Sequence, residues 1–330
     1  MSQDNISIGG DYQWNAQTVV SFQYVHNNLR RTIEDLGTII SGDNAYVITN
    51  PGEGFGTTMD PSGTASQVFA TPKPKRQYDA LEISVDRRFS NRWFGNISYT
   101  FSRLYGNYSG LVDTDEIRTP TTGISYATAQ QQGGMIAHPG TSDNRSCDAP
   151  EIVWDSHGHL DPRGPLATDR PHVLKAYGSY AFGFGSEIGV NYYIGSGTPV
   201  TTYVWDINSV PVFPEGRGDL GRTPVLTQTD MVVAHEWKLP NNDGKKVRFE
   251  FNMLNLFNQK TARHVFNDYN RQRPSSEIDF ATIDLAKGYD YKTLVQSSTS
   301  DKADSLDPRF KKNDLFNAGF AGRFGVKFVF

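Results

Sequence analysis

Apolar and polar residues alternate along the chain in segments of about ten residues. In the first segment Ile6, Ile8 and Tyr12 fall on one parity, while Ser7 and Asp11 fall on the other. Successive side chains of a β-strand point to opposite faces, so this period of two predicts a strand with one apolar and one polar face. The pattern recurs, and it predicts strands in these segments: 5–14, 18–27, 78–89, 93–102, 172–184, 187–195, 229–239, 245–254 and 317–330.

The connections between these segments are of two kinds. Tight turns are predicted around Asn15, Asn91, Gly185 and Asp243. Long connections rich in Gly, Pro, Ser, Asn and Asp are predicted at about 30–76, 106–170, 199–224 and 259–316. Short and long connections alternate strictly, which is typical of a membrane β-barrel with short periplasmic turns and long outer loops.

Aromatic residues cluster at the strand ends beside the short turns. An indole or phenyl ring is stable at the lipid headgroup level, where one edge stays apolar and the other stays wet. This arrangement predicts an aromatic girdle at one membrane interface. Its predicted members are Trp14, Phe89, Trp93, Phe184, Trp237 and Phe330.

Composition argues against several other classes of protein. The net charge of −4 over 330 residues gives no indication of a nucleic-acid partner. Cys147 is the single cysteine, so an internal disulfide is impossible. No apolar run approaches the roughly 20 residues of a membrane helix, whereas barrel strands need only about 9–11 residues. The first residues lack the basic and apolar regions of a signal peptide.

The predicted fold is therefore all-β: an antiparallel transmembrane β-barrel segment of about nine strands with long outer loops. A soluble β-sandwich is the alternative, but its turns usually recur every 8–12 residues or so without such regular alternation of loop length. An odd strand count whose first strand starts outside conflicts with the even number usual in bacterial barrels. We therefore expect upstream strands to be missing, with Met1 an internal start or a truncation.

Several segments resemble a known family. They are "YDALEISVDRRFSNRWFGNISYTFSR", "TDRPHVLKAYGSYAF", "SGTPVT", "GRGDLGRTP", "FEFNMLNLFN" and the terminal "FGVKFVF". Together and in this order, the segments are similar to the barrel of Oar-like TonB-dependent outer-membrane receptors. The resemblance covers most of residues 75–330 and, weakly, the first 30.

The resemblance implies a large barrel of about 22 strands in the cell outer membrane of a Gram-negative bacterium. Residues 1–330 would be its C-terminal portion, because the plug domain, the N-terminal domain and the signal peptide are not found in the sequence. The implied function is to bind and import a bulky or scarce ligand, whether siderophore, glycan or peptide. The implied partners are outer-membrane lipid, the missing N-terminal strands and plug, and, only through the absent N-terminal region, the TonB complex.

Charged residues on the polar parity are predicted to face a wet lumen. They are Glu82, Asp86, Arg88, Lys175, Arg248, Glu250, Arg323 and Lys327. Their mixed sign argues against a strongly ion-selective pore. Arg87 falls on the apolar parity, but near a strand end, where a guanidinium reaches the interface at small cost.

No cofactor and no enzymatic activity are predicted. In "WDSHGHLD" the residues Asp155, His157, His159 and Asp161 alternate, which makes them weak candidates for a transition-metal site, with a solvated loop as the alternative. Asp113, Asp115 and Glu116 lack the remaining features of an EF-hand loop. Cys147 has no established base beside it, and the Arg217-Gly218-Asp219 triplet more readily indicates a turning loop than an adhesion motif.

Three other functions stay open at this point. A structural or adhesive outer-membrane protein would use the long loops alone. A passive, porin-like channel would admit ligand without the inner-membrane energy source. A barrel hydrolase would need a nucleophile and a base at the outer rim, with His157 or His159 as the residues to test.

Overall fold

The computed structural model describes residues 1–40, 43–50, 52–53, 72–108, 154–159, 163–205, 211–240, 245–270, 278, 283–297 and 306–329. Its strands are β1 (Ser2–Asn15), β2 (Thr18–Arg31), β3 (Glu34–Ile40), β4 (Asp43–Thr49), β5 (Arg76–Ser90), β6 (Trp93–Gly106), β7 (Gly164–Pro165), β8 (His172–Ala181), β9 (Ser186–Gly195), β10 (Val204–Trp205), β11 (Pro211–Val212), β12 (Leu226–Lys238), β13 (Lys246–Leu254), β14 (Ala262–Val265), β15 (Asn313–Phe316) and β16 (Ala321–Val329). A 3₁₀ helix spans Leu285–Lys287 and the helix α1 spans Tyr291–Ser297. Within these ranges no helix is both long and apolar enough to cross a bilayer.

Nine strands form one antiparallel sheet, which we call the wall. Their order is β1-β2-β5-β6-β8-β9-β12-β13-β16, and the short β7 pairs with β6. Each wall strand lies beside its neighbour in sequence among these nine, as in an up-and-down meander. The predicted fold class is confirmed, including the count of about nine strands in the part of the chain that the structure describes.

The strand register keeps the apolar residues on one face of the wall. Phe22 of β2 pairs with Ile83 of β5, which in turn pairs with Tyr99 of β6. At the other side of the wall, Phe251 of β13 pairs with Phe324 of β16. Directly opposed residues of paired strands share a face, so the apolar stripes of the separate strands join into one apolar face.

This apolar face is open rather than covered by other protein. The exposed fraction is 53% for Phe22, 55% for Ile97 and 69% for Phe324. A contiguous exposed apolar surface of this extent is not compatible with water and marks contact with lipid or with another protein. The wall therefore has the distribution of side chains expected of a transmembrane barrel segment.

Local sequence fixes the short turns. The Asn15 side chain accepts hydrogen bonds from the N–H groups of Gln17 and Thr18, both at 2.9 Å. Asn91 and Arg92 have φ values of 52° and 72°. Two consecutive positive φ values are typical of the two-residue turn that matches the twist of a β-hairpin. The turn predicted around Asp243 lies outside the described residues, although the strands that flank it pair as expected.

The long connections fold on themselves. We define the loop cap as the described residues among 154–159, 196–225 and 255–320. Backbone hydrogen bonds join its separate parts: the Ser156 N–H donates to the Pro214 carbonyl at 2.8 Å, and the Tyr203 N–H donates to the Asn267 carbonyl at 2.9 Å. A buried apolar cluster lies at its centre, made of Val204, Val212, Ile278, Leu285, Tyr291 and Val295.

The cap is the main departure from the sequence-based expectation. The alternation predicted where the long connections begin and end, but it gave no indication of α1 or of a buried core within them. The first long connection also forms a hairpin, β3 with β4. Most of the buried apolar residues of the described chain therefore lie in its loops rather than in its sheet.

Candidate functional site

The polar face of the wall, defined as the alternate strand positions opposite the apolar face, carries the charged side chains. Glu82 pairs with Thr100, Lys175 with Ser98, and Arg248 with Lys327. By the same alternation all eight residues predicted to face the lumen share this face; that they line a lumen stays a prediction. They are Glu82, Asp86, Arg88, Lys175, Arg248, Glu250, Arg323 and Lys327.

Three of these eight residues meet in one ion-pair network near the short-turn ends of the strands. Arg248 donates from Nη2 to Glu187 Oε2 at 2.9 Å, and its Nη1 lies 3.6 Å from Glu236 Oε1. Arg248 Nε lies 3.4 Å from Glu250 Oε2, which also accepts from Lys327 Nζ at 3.0 Å. The network joins β9, β12, β13 and β16. Lys246 Nζ also donates to Glu236 Oε2 at 3.1 Å, so three cations offset three carboxylates in the network. Each partly exposed pair contributes little alone.

The remaining predicted residues are not part of that network. Asp86 accepts a hydrogen bond from Asn96 Nδ2 at 2.5 Å. Glu82 and Lys175 line a cavity farther along the same face. They lie toward the long-loop ends of the strands, well away from the Arg248 network.

This cavity has a volume of about 500 Å³ and lies on the half of the polar face nearer the long connections. The cavity is lined by side chains of strands β1, β2, β5, β6 and β8, and residues 168–170 border it. Its charged residues are Arg76, Glu82, Asp169, Arg170 and Lys175. A concave site of this size with several convergent polar groups has the dimensions of a small-ligand pocket.

Asp169 connects the cavity rim to the loop cap. Its side chain is buried, with 2% exposed, and Oδ1 accepts from the Leu104 N–H at 2.6 Å. Its Oδ2 forms an ion pair with Arg222, whose Nη1 donates to the carbonyls of Asp169 and Gly197 at 3.0 Å each. The buried carboxylate is thus fully paired, and it fixes the 199–224 connection to the start of β8.

The Arg217-Gly218-Asp219 triplet is engaged inside the protein. Arg217 is 8% exposed and donates to the Asn107 carbonyl at 3.1 Å. Asp219 accepts from the N–H of Thr202 at 2.7 Å and from its hydroxyl at 2.5 Å. Burial raises the pKa of Asp219 above its ordinary value. Three glycines of this loop have positive φ, as predicted for a turning loop: Gly216, Gly218 and Gly221.

The candidate metal ligands are only partly brought together. Asp155 Oδ1 accepts the N–H groups of His157 and His159 at 2.9 Å each, and Asp155 Oδ2 lies 3.1 Å from His159 Nδ1. His157 Nε2 points toward Glu215, at 3.7 Å from Oε2. Asp161 lies outside the described residues. Within the described ranges no group of three or more His, Cys, Asp or Glu side chains is arranged to hold a metal ion.

Burial also affects the tyrosines of the cap. It raises the pKa of Tyr289 far above the ordinary value, and the nearby carboxylates of Asp155 and Glu215 raise it further. The Tyr289 hydroxyl therefore stays protonated and lies 3.4 Å from the Trp154 carbonyl. Tyr289 therefore contributes packing and a hydrogen bond to the cap rather than a group that titrates.

Four of the predicted girdle residues that the structure describes lie at strand ends beside the short turns, and Phe184 lies within the turn between β8 and β9; their membrane role stays a prediction. The exposed fraction is 71% for Trp14, 62% for Phe89, 41% for Trp93, 70% for Phe184 and 60% for Trp237. Arg87 lies with its guanidinium carbon 4.1 Å from the centre of a Trp93 ring, a cation–π contact that shields the charge at the end of the apolar face. Phe330 lies outside the described residues, as do Asp113, Asp115, Glu116 and Cys147.

Sequence reasoning missed the rim residues Arg76, Asp169, Arg170 and Arg222. The segment "TDRP" contains two of them, but its sequence indicates only the family resemblance. Asp169 and Arg222 are 53 residues apart, and no periodicity relates them. The available signal was the position of charged residues at the strand ends next to the long connections.

Comparisons with known proteins agree with the geometry. The chain is 28% identical over 278 residues to the TonB-dependent transporter Oar of Myxococcus xanthus, an alignment that covers 81% of this chain and 22% of that protein. The chain thus spans about a fifth of the length of this relative. The predicted resemblance to Oar-like TonB-dependent receptors is confirmed. No family model matches the sequence.

A solved structure gives the same fold. The outer membrane transporter YddB from Escherichia coli superimposes with a TM-score of 0.50 and 9% identity, over 80% of this chain and 30% of that one. At this identity the match concerns the fold alone. The predicted location in the cell outer membrane is confirmed together with the barrel-wall architecture.

Proposed function

We propose that this chain forms part of the barrel wall and outer loops of a TonB-dependent transporter, which captures a bulky or scarce ligand at the cell surface and imports it. In this proposal the 330 residues are the C-terminal portion of the barrel. Further strands, a plug and the segment that contacts the TonB complex are supplied from outside these residues.

One observation carries the proposal: a nine-stranded wall exposes a continuous apolar face on one side and a charged face with a cavity on the other. Lipid fits the first face and a water-filled passage fits the second. The similarity to Oar over most of the chain supports a transporter over a surface protein that only adheres.

The open edges of the wall support the presence of further strands. In the described part of the chain β1 and β16 each pair on one side only, and they do not pair with each other. Unpaired backbone groups within a bilayer cost several kcal/mol each, so the two edges require partners in the membrane. Additional strands between β1 and β16 would close the barrel.

The loop cap is the proposed site of first contact with the ligand. It has its own buried core and is fixed to the wall by the Asp169–Arg222 ion pair and by the Arg217 hydrogen bond to Asn107. A cap with a core of its own, linked to the cavity border through Asp169, presents a defined surface to a ligand arriving from outside. Siderophore, glycan and peptide ligands all remain candidates.

Uptake measurements in the source bacterium test the function. Three labelled probes are compared, a ferric siderophore, an oligosaccharide and a peptide, in cells lacking the gene and in cells lacking TonB. We expect one probe to lose uptake in both strains and to recover when the gene is restored. Restoration with Phe213→Ala, which removes the buried packing against Tyr203 in the cap, should fail to recover full uptake. Restoration with Phe22→Ala on the apolar face of the wall should recover it.

Two results would contradict the proposal. Uptake that depends on the gene but continues without TonB would indicate a passive channel. Unchanged uptake of all three probes in the gene-deficient strain, accompanied by loss of surface adhesion, would indicate a structural protein.

A further inference from the structure

We propose that the cavity on the polar face is a binding site for an oxyanion, a carboxylate or phosphate group of the ligand, held by Arg76, Arg170 and Lys175. This inference gives the ligand of the proposed function a chemical class. It rests on that function only in taking the bound group to be part of the transported molecule.

The charge balance of the cavity favours an anion. Arg76, Arg170 and Lys175 form no ion pair within the described residues. Asp169 is already neutralised by Arg222, so it does not offset them. Glu82 is the one remaining carboxylate of the cavity lining, which leaves three cations against one anion. Cations held together in a concave, partly desolvated site raise the local concentration of anions.

One of the two arginines is oriented by a hydrogen bond, and the other has a buried donor without a partner. Arg76 Nε is buried and has no hydrogen-bond partner in the described chain. Arg170 uses Nη1 to donate to the Ser196 carbonyl, which orients its guanidinium at the cavity border. A buried donor without a partner carries a desolvation cost, which an incoming acceptor would remove.

The surroundings of Arg170 strengthen this preference. Burial lowers the pKa of Arg170; the nearby Tyr193 acts to raise it, and the cations Arg263 and Arg222 act to lower it. An arginine stays charged in proteins, so the lowered pKa means that its charge is poorly compensated. A bound oxyanion would provide the missing compensation.

The geometry of the donors fits an oxyanion rather than a simple halide. A guanidinium offers a planar pair of N–H groups that matches two oxygens of a carboxylate or phosphate, and Lys175 adds a point charge. Tyr78 and Thr100, which carry hydroxyl groups, also belong to the lining. They can hydrogen bond to the polar remainder of a ligand, and about 500 Å³ leaves room for one.

Calorimetric titration tests the site directly. Succinate and inorganic phosphate are titrated separately into the 330-residue chain in detergent micelles at about 0.15 M salt, where long-range electrostatic attraction is screened. We expect saturable binding of at least one probe, and Arg76→Gln and Lys175→Gln should each weaken it about ten-fold. The matched control is Arg323→Gln, which removes a cation of the same face outside the cavity and should leave the affinity unchanged.

A variant that is expected to strengthen binding controls for misfolding. Glu82→Gln removes the one unpaired carboxylate of the lining and should tighten binding several-fold, which no loss of structure would produce. Preference for succinate would assign a carboxylate ligand, and preference for phosphate a phosphorylated one.

The inference is overturned if neither probe binds, if Arg323→Gln weakens binding as much as Arg76→Gln, or if Glu82→Gln weakens it. None of these measurements involves TonB or uptake. A failed titration therefore leaves the transport proposal standing, and a failed uptake experiment leaves the oxyanion site standing.

Discussion

The wall and the loop cap use the same side chains in opposite ways. Phe22 on the wall is 53% exposed, whereas Phe213 in the cap is fully buried against Tyr203, with ring centres 5.2 Å apart. The cap follows the rule of water-soluble proteins, with apolar residues inside. The wall presents apolar residues outward and charge on its opposite face. One polypeptide therefore contains two regions adapted to two solvents.

The difference indicates which force stabilises each region. Burial of apolar surface stabilises the cap in water, at roughly 25 cal/mol for each Å² removed. The wall buries few of its large side chains in protein, so backbone pairing between strands and contact with lipid must stabilise it. A change of side chain should therefore have very different effects at matched positions in the two regions.

Replacing a buried phenylalanine of the cap should give the largest effect. Phe213→Ala removes a ring that packs against Tyr203 and under the Arg217 guanidinium, whose carbon lies 4.5 Å from the ring centre. We expect a loss of about 4 kcal/mol in the unfolding free energy of the cap, from lost burial and from the cavity left behind. Urea titration in detergent micelles, followed by protease cleavage of the cap, measures it.

The matched control is Phe22→Ala on the apolar face of the wall. Its ring is more than half exposed, so we expect a change below about 1 kcal/mol in the same assay. Equal losses for the two variants would mean that the wall buries its apolar face against protein, and the contrast between the two regions would be wrong.

Breaking the connection between the regions should have the next largest effect. Asp169→Ala leaves Arg222 without its carboxylate and the Leu104 N–H without its acceptor. We expect about 3 kcal/mol of destabilisation, because loss of one partner leaves the other charge desolvated and unpaired. The cap should then be cleaved by protease while the strand content, followed by circular dichroism, is unchanged.

Asp86→Ala provides the control for that variant. Asp86 is an exposed carboxylate of the wall that accepts one hydrogen bond from Asn96, and we expect a change below about 0.5 kcal/mol. If Asp169→Ala instead melted the strands along with the cap, the two regions would form a single cooperative unit.

The wall could be predicted from sequence because the alternation of apolar and polar residues is a local pattern. A period of two needs no knowledge of distant residues, and it gave both the strands and the parity of Glu82, Lys175 and Arg248. The register then follows, because a slip of one residue between neighbouring strands would place charged residues among apolar ones.

The cap and the cavity rim could not be predicted in this way. The cap core joins single apolar residues from distant segments, such as Val204, Val212 and Leu285, which show no common period. The rim depends on the pairing of Asp169 with Arg222 across 53 residues. Such contacts are decided by the fold as a whole, so only the position of the long connections was accessible from sequence.

A lysine on the apolar face tests which solvent the wall meets. Ile83 lies at the middle of β5 and is 42% exposed. In lipid vesicles Ile83→Lys should lower folding stability by about 2–3 kcal/mol, the cost of a cation near the bilayer midplane. The neighbouring Ser84→Lys lies on the polar face and should be tolerated. Tolerance of both lysines, measured as the folded fraction in vesicles, would mean that the Ile83 face does not contact lipid.

The smallest effect is expected on the polar face near the short turns. Arg248→Gln removes the cation that links Glu187, Glu236 and Glu250. We expect a loss of about 1 kcal/mol at low salt, because the pairs are partly exposed and Lys327 still neutralises Glu250. Since mobile ions screen such pairs, the loss should nearly vanish at about 1 M salt, where the Debye length is about 3 Å. Lys238→Gln, an exposed strand-end cation, is the control. A loss for Arg248→Gln that persists at high salt would mean that this end of the polar face is shielded from water, and that the wall meets an apolar environment on both sides.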